Sequence, residues 1–434
     1  MKSPKKIIQR VYHMSTDSPQ ERAQEVVVIG AGIVGVAVAE QLQHRGRRVT
    51  LIDRESPGHG CSFGNAGHFA TDVVLPLANM KTILSVPRLL MDPLGPLSLR
   101  WGYLLKILPW LMRFGVAALP RNVEKSCRHL RALNSRSIES YQRLLGRTGL
   151  GDLMTSRGAL TIYERLDSVR KNQSTVDLLR GYGIEIEALS GDELRVLEPV
   201  LGPNIAGGLF FPRTAHTANP YRLVTALAEK FVQSGGGILR EEVVGLEPAG
   251  SKINVRLSSG RVLSAEQLVI AAGAWSKALA GQLGYRVPLD TERGYHLMLP
   301  DAGCDLTRPM VSFERSFVMT PMEEGLRLAG TVELGGLEAK PNYARADVLF
   351  DHAKSLLPGI SQQGATRWMG FRPSLPDSLP VIGVAADNPS VAFAFGHQHL
   401  GLTQAAITAE LLADQLQGKA PEVDLSPYAI TRFR

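Results

Sequence analysis

Residues 25–35 read EVVVIGAGIVG. The β-branched, apolar run Val26–Ile29 ends at a glycine, so it reads as a short buried strand. Gly30, Gly32 and Gly35 then form a GxGxxG spacing. Gly30 permits the tight turn out of the strand, Gly32 lets a pyrophosphate approach the backbone, and Gly35 lets the next helix pack closely on the sheet. Ile33 and Val34 open that helix, which runs to Arg45 in small residues and good helix formers. Arg48–Asp53 (RVTLID) is a second strand. Strand, helix and strand within about thirty residues make a βαβ unit, with parallel strands and a right-handed crossover. The helix N-terminus offers unpaired N–H groups and the positive end of its dipole to phosphates. Asp53 lies eighteen residues beyond Gly35, where a carboxylate accepts from ribose hydroxyls. The motif predicts a dinucleotide site and leaves NAD and FAD both open.

The chain around it has 434 residues, room for roughly two to four domains. Hydrophobic residues at 44% and charged residues at 21% are globular values and exclude disorder throughout. Cys61, Cys127 and Cys304 are scattered and odd in number, which argues against a disulfide scaffold or a cysteine zinc site and for a reducing, cytoplasmic setting. His397-x-His399 has no cysteine or carboxylate cluster beside it, so no metal is expected. Residues 1–24 read as a polar tail, with Met14 a second candidate start. Their basic beginning is not followed by the apolar run of a secretory signal. No run of eighteen uncharged apolar residues suggests a membrane-spanning helix.

Residues 54–80 read as a Gly-, Ser-, Asn- and Pro-rich loop. From 86 to 150 the pattern is helical, interrupted at Pro93, Pro96, Pro109 and Pro120. Strands are expected at 159–163, 267–271 and 390–395, helices at 220–234 and 402–416, and a hairpin about Ser258-Ser259-Gly260. Residues 294–335 suggest an antiparallel sheet. Strands suited to one parallel sheet thus occur early, midway and late. This predicts an α/β protein. A discontinuous Rossmann-like domain is built from 25–84, 201–285 and 376–434, and an α+β domain with an antiparallel sheet from 85–200 and 286–375.

Two later features favour FAD. Leu268–Trp275 (LVIAAGAW) is a strand with a small-residue turn far downstream of the βαβ unit. Residues 372–383 (RPSLPDSLPVIG) lead to Gly396-His397-Gln398-His399-Leu400-Gly401, which opens a helix. Such a returning turn sets backbone N–H groups against the polar edge of a flavin. With Cys61-Ser62-Phe63-Gly64-Asn65-Ala66-Gly67, Gly207-Gly208-Leu209, Arg293-Gly294-Tyr295 and Gly370-Phe371-Arg372-Pro373, the chain resembles the FAD-dependent D-amino-acid oxidase family over about residues 25–430. Within it, the likeness is greatest to bacterial D-amino-acid dehydrogenase small subunits. The resemblance implies FAD held by Gly30, Gly32, Ile33, Val34, Gly35, Asp53, Arg54, Ser62, Asn65, Ala66, Gly67, Val243, Ala272, Gly273, Trp275, Gly396, Gly401, Leu402 and Thr403. It implies non-covalent binding, because Ile270 stands before Ala271-Ala272-Gly273 where covalent-flavin members carry histidine.

In related glycine oxidases the arginine of the G-[FI]-R-P motif binds the substrate carboxylate, which implies that role for Arg372. Residue chemistry agrees: a planar guanidinium matches a carboxylate bidentately. Tyr295, alternating with His296 on an apolar strand, is a candidate second donor to the carboxylate; a core tyrosine is the alternative. His399 resembles a position where those enzymes carry a second arginine, and His68 follows the Asn-Ala-Gly turn where relatives carry glutamine. Both are candidates for substrate contact, and both depart from the family pattern. The implied reaction is hydride transfer from Cα of a D-amino acid, or of a cyclic imino acid such as D-proline or D-hydroxyproline, to flavin N5. No dedicated side-chain base is needed where the pocket lowers the amine pKa. A subunit of a heteromeric sarcosine- or glycine-type amine dehydrogenase is a second reading. An RNA-modifying flavoprotein ranks last, because few aromatics accompany the basic residues, and no nucleic-acid partner is expected.

The net charge of +7 is unevenly placed. Residues 100–147 hold ten Lys/Arg against Glu124 and Glu139, a local charge of +8. Within 100–115 (RWGYLLKILPWLMRFG), Lys106 and Arg113 share a helical face amid apolar residues, and Pro109 is expected to bend or split the helix. Two readings stand: an interfacial helix on the inner membrane, where electrons pass to quinone or another carrier, or a wall of the substrate pocket with solvated arginines.

Overall fold

The computed structural model describes residues 24–433; apart from Gln24, the polar tail lies outside the described residues. The βαβ unit forms as its residues dictate. β1 (Gln24–Ile29) leads through the glycine turn into α1 (Ile33–His44), and β2 (Val49–Asp53) returns parallel to β1, with Val28 opposite Leu51. Both strands are buried, so they are apolar almost throughout rather than alternating.

The first sheet runs β10 (Val243–Ala249), β11 (Lys252–Leu257), β12 (Val262–Ile270), β1, β2, β9 (Gly237–Arg240). β19 (Asn388–Phe395) pairs parallel with β12, and β18 (Val381–Ala385) antiparallel with β19. The hairpin arm and the apolar strand expected separately are the single strand β12. Its polar first half pairs antiparallel with β11; its apolar end lies between β1 and β19.

The second sheet runs β17 (Thr366–Ser374), β13 (Asp290–Leu299), β16 (Gly325–Leu334), β15 (Phe317–Met322), β14 (Met310–Ser312), β5 (Ala159–Tyr163), β7 (Gly207–Phe211), β6 (Glu187–Ser190), with β4 (Leu97–Leu99) along the end of β16. It is antiparallel except where β14 meets β5 and β4 meets β16. A ribbon of β3 (His68–Phe69) and β8 (Ala215–His216) lies apart from both.

Three expectations from the sequence change. β7 pairs with β5 and β6, so the first domain resumes not at 201 but near α5 (Pro220–Gln233), whose N-terminus is capped by Asn219 accepting from Arg222 N–H at 2.9 Å. α4 (Pro120–Thr148) packs on the first domain: Tyr141 Oη donates to Leu402 O at 2.6 Å, and Leu133 and Leu144 join α1 and α6 (Gly401–Leu416) in one core. Pro109 neither bends nor splits α3 (Leu104–Ala117). Leu105, whose carbonyl loses its helical partner, and Pro109 itself are exposed, so the lost bond falls on the solvent side of the helix. The turn of 89° comes instead between α3 and α4.

Candidate functional site

At the C-terminal end of β1 the glycines work by leaving space. A Cβ on Gly30 (φ +110) would lie 2.4 Å from Ala271 O, and one on Gly35 would lie 1.8 Å from Gly30 O. α1 begins at Gly32 with no side-chain cap and no acid in its first turn, which leaves its positive end for an outside anion. Ser62 Oγ accepts from Ile33 N–H at 2.9 Å, and Asp53 Oδ2 accepts from Ala31 N–H at 2.6 Å. Val34 lies in the same first turn. Beside Asp53, the Arg54 guanidinium sits 4.1 Å from the Trp275 ring centroid, a cation–π pair, and Val243 and Ala272 pack in the core beneath.

A second edge of backbone faces the other end. Asn65 Oδ1 accepts from Gly67 N–H at 2.8 Å, closing the turn that carries Ala66. Gly67, Gly273 and Gly396 all have positive φ; a Cβ on Gly67 would lie 2.4 Å from Thr217 O. Thr403 Oγ1 accepts from Ala70 N–H at 3.0 Å, which ties this turn to the first residues of α6, Gly401 and Leu402. α6 also lacks an acid in its first turn. A phosphate-sized anion site at α1, a carboxylate at β2 and a backbone edge at α6 fit a dinucleotide carrying a ring system.

The second sheet brings Arg372 to this edge. A Cβ on Gly294, on the neighbouring strand, would lie 2.4 Å from Arg372 Cζ. The glycine is therefore there because the guanidinium fills its side-chain space. Arg372 Nη1 donates to Thr331 O at 3.2 Å. No carboxylate among the described residues lies within ion-pair distance of it. Glu292, its register partner in β13, instead accepts from Ser374 Oγ at 2.6 Å, and burial raises its carboxyl pKa. Cys61 Sγ donates to Phe371 O at 2.6 Å, with its thiol pushed up to about 11 by burial. His399, beside Arg372, is pushed down to about 4, first by desolvation and then by that guanidinium. Cys61 and Arg372 are half-buried and His399 is exposed, while surrounding protein atoms desolvate all three.

Tyr295 does not join them. In β13 it alternates with Gly294 and so faces the other side of the sheet. Its hydroxyl donates to Glu333 Oε2 and accepts from Asn342 N–H at 3.1 Å. Glu333 also pairs with Arg293 at 2.9 Å and Arg100 at 2.7 Å. This is a buried structural network, and Tyr295 is a core tyrosine within it. His68 stands in a separate group. Its Nε2 is 4.0 Å from Asp72 Oδ1, it lies opposite His216, and burial holds both histidines neutral. His397, the other histidine of the pair, is buried against Thr408 Oγ1 at 3.0 Å.

Several residues carried no motif. Arg327 donates to Phe63 O at 3.2 Å and Asn65 O at 2.6 Å, clamping the 61–67 turn onto the second sheet. A lone arginine inside GLRLAG was its only signal. Thr331, whose carbonyl holds Arg372, has φ 57 at the β16 bulge; a β-branched residue there is strained, and nothing in the sequence marks it.

A family model described as FAD dependent oxidoreductase matches residues 25–415. The chain is 37% identical to a D-amino-acid oxidase of Bradyrhizobium diazoefficiens, covering 94% of this chain and 99% of that one. It is 30% identical to D-amino acid dehydrogenase 2 of Ralstonia nicotianae, covering 94% and 100%. Among solved structures, L-proline dehydrogenase from P. horikoshii superposes with a TM-score of 0.73 at 19% identity, covering 95% and 98%. Glycine oxidase from Bacillus cereus gives 0.69 at 20%, covering 93% and 97%. With the match running from β1 through α6, the chain belongs to the FAD dependent oxidoreductase family.

Proposed function

We propose that this chain oxidises D-amino acids at Cα, giving an imine that hydrolyses to the 2-oxo acid. The observation that carries the proposal is Arg372: a half-buried, desolvated guanidinium, packed over Gly294, with a backbone carbonyl but no carboxylate within ion-pair distance. Glu292 is near enough to raise the Arg372 pKa but bonds Ser374 and makes no ion pair with the guanidinium, so an incoming carboxylate supplies the direct counter-charge that the desolvated cation lacks. Relatives named D-amino-acid oxidase and D-amino acid dehydrogenase support the substrate class. Bound FAD supplies the acceptor for the hydride leaving Cα.

The chain's own groups do the rest. Arg372 holds the carboxylate through two parallel N–H donors, which fixes the orientation of Cα. His399, neutral at pH 7, accepts from or donates to the amino group without adding charge. The positive field of Arg372 favours the neutral amine, so its proton leaves to solvent. Hydride loss requires a free amine, primary or secondary, which extends the proposal to D-proline and cis-4-hydroxy-D-proline. Electrons then pass to a quinone, as the relatives named dehydrogenases favour, with oxygen the alternative that the relative named oxidase favours.

The test is anaerobic bleaching of the flavin band in purified holoenzyme with D-amino acids, their L-enantiomers, D-proline, cis-4-hydroxy-D-proline and sarcosine in turn. Bleaching by D-substrates alone is expected; equal or faster bleaching by L-enantiomers or sarcosine overturns it. Slow reoxidation in air and fast reoxidation by a water-soluble quinone is the result expected for the acceptor.

A further inference from the structure

The outward faces of α2 (Met80–Leu90) and α3 are apolar. Leu84 is 74% exposed, Met91 81%, Trp101 72% and Leu105 83%. Leu108, Met112, Val116 and Leu119 are also exposed and continue from Leu105 at steps of three or four residues, so they stand on one side of α3. No residue of α2 is fully buried. The inner side of α3 is apolar too, and it is occupied. Ile107 and Trp110 are buried, and Trp110 Nε1 donates to Ser374 O at 3.2 Å, two residues beyond Arg372. Single exposed apolar residues are ordinary on a protein surface; a contiguous stripe of them is a contact surface.

The charge around this stripe differs from the charge farther along. In α4, Arg136 pairs with Glu422, Arg143 with Glu410 and Arg147 with Glu40. The basic excess of residues 121–147 is therefore partly neutralised inside the fold. Lys81, Arg88, Lys106, Arg113, Arg121 and Lys125 have no carboxylate within ion-pair distance among the described residues. Where α3 turns into α4, a cavity of about 690 Å³ is lined by Arg113, Val116, Lys125, Arg128, His129 and Phe433, among others. Arg113, Lys125 and Arg128 rim it, with Arg128 4.0 Å from Glu124, and its lining includes one carboxylate, Asp377, which is paired with Arg432 at 2.8 Å.

We infer that α2 and α3 dock this protein on an anionic phospholipid bilayer, with α3 in the interfacial plane and the cavity at its end seating a lipid phosphate. An apolar stripe bordered by uncompensated lysines and arginines matches acyl chains below a layer of phosphates. No single helix among the described residues is long and apolar enough to cross the bilayer, and α4 is held against α6, so the contact is peripheral. This surface backs the strand that carries Arg372, which sets the substrate site beside the membrane.

Flotation of the full-length holoenzyme with phosphatidylcholine vesicles, with and without 30 mol% phosphatidylglycerol (roughly the anionic content that gives a charged leaflet), tests this. Binding to the anionic vesicles is expected, weakened by high salt. Leu105→Glu/Met112→Glu should lower vesicle binding at least roughly tenfold while flavin bleaching is unchanged. Lys125→Glu/Arg128→Glu should erase the preference for phosphatidylglycerol. Failure of the parent protein to float, equal flotation of the Leu105→Glu/Met112→Glu variant, or a dimer that this variant dissolves in the absence of vesicle binding would each overturn the inference. Flotation needs no turnover, so it separates from the proposed substrate and acceptor.

Discussion

At the nucleotide end of the site, Gly30 and Gly35 act by the side chains they lack; at the proposed substrate end, Cys61, Arg372 and His399 would act by the ones they carry. The first end is a local object. Its turn, helix start and acid lie within one βαβ unit, and the binding groups are backbone N–H. The second end is assembled from segments more than three hundred residues apart, and it exists only because β17 lies beside β13. A backbone cradle tolerates almost no substitution, whereas a side-chain constellation can change specificity one residue at a time.

The largest effect should come from the cradle. Gly35→Val places a side chain on Gly30 O, where even a Cβ would come within 1.8 Å. The expected protein carries no flavin absorbance and shows no turnover; a variant purified with full flavin would show that the close approach is not required. Arg372→Met should leave flavin content intact and lower kcat/KM by about 10²- to 10³-fold, the scale of losing one partner of a buried charge-assisted pair. Tyr295→Phe, one strand away but on the opposite face, should change kcat/KM less than about threefold and cost about 1–3 kcal/mol of stability, because the hydroxyl's two buried hydrogen bonds, to Glu333 and from Asn342, are lost. Comparable losses in both variants would contradict the separation of the two faces.

A pH effect, with no bearing on turnover at neutral pH, is shared by both ends. Desolvation depresses His397 to about 3 at the nucleotide end, and His296 to about 3 beside the 61–67 turn, where it meets Gly64 O at 3.1 Å. Both are neutral when folded, while the unfolded chain protonates them near pH 6.5. Their stabilising contribution is full above that value and is lost as pH falls below it, at up to about 1.4 kcal/mol per pH unit for each histidine. Thermal midpoints should be level from pH 8 to 7 and fall between pH 6.5 and 5, before most carboxylates titrate. A midpoint that holds steady through this window would show that these rings are not kept neutral.

Much of this was legible from residues alone. The glycine spacing, Asp53, the late LVIAAGAW strand and the returning α6 turn each describe short-range conformation, and short-range conformation is what a contiguous stretch encodes. The resemblance singled out Arg372, and its flanking apolar residues made an enclosed site reasonable. Tyr295 went to the wrong face because alternation shows which residues share a side of a strand, not which side meets the cavity. The strand β7 and the helix α4 went to the wrong domain for a related reason. Their partners, β5 and α6, lie roughly 50 to 270 residues away, beyond any local pattern.

The sequence by itself determined that a dinucleotide cradle forms at residues 25–53 and that a cation stands at 372. Both follow from the φ/ψ freedom of glycine and from fixed side-chain charge. Only the tertiary structure decided that Arg372 fills the space above Gly294, that Tyr295 turns away to Glu333, and that the stripe on α3 is left uncovered while the arginines of α4 find internal partners. Those outcomes depend on strand register and helix packing, where a shift of one residue exchanges the two faces of a strand.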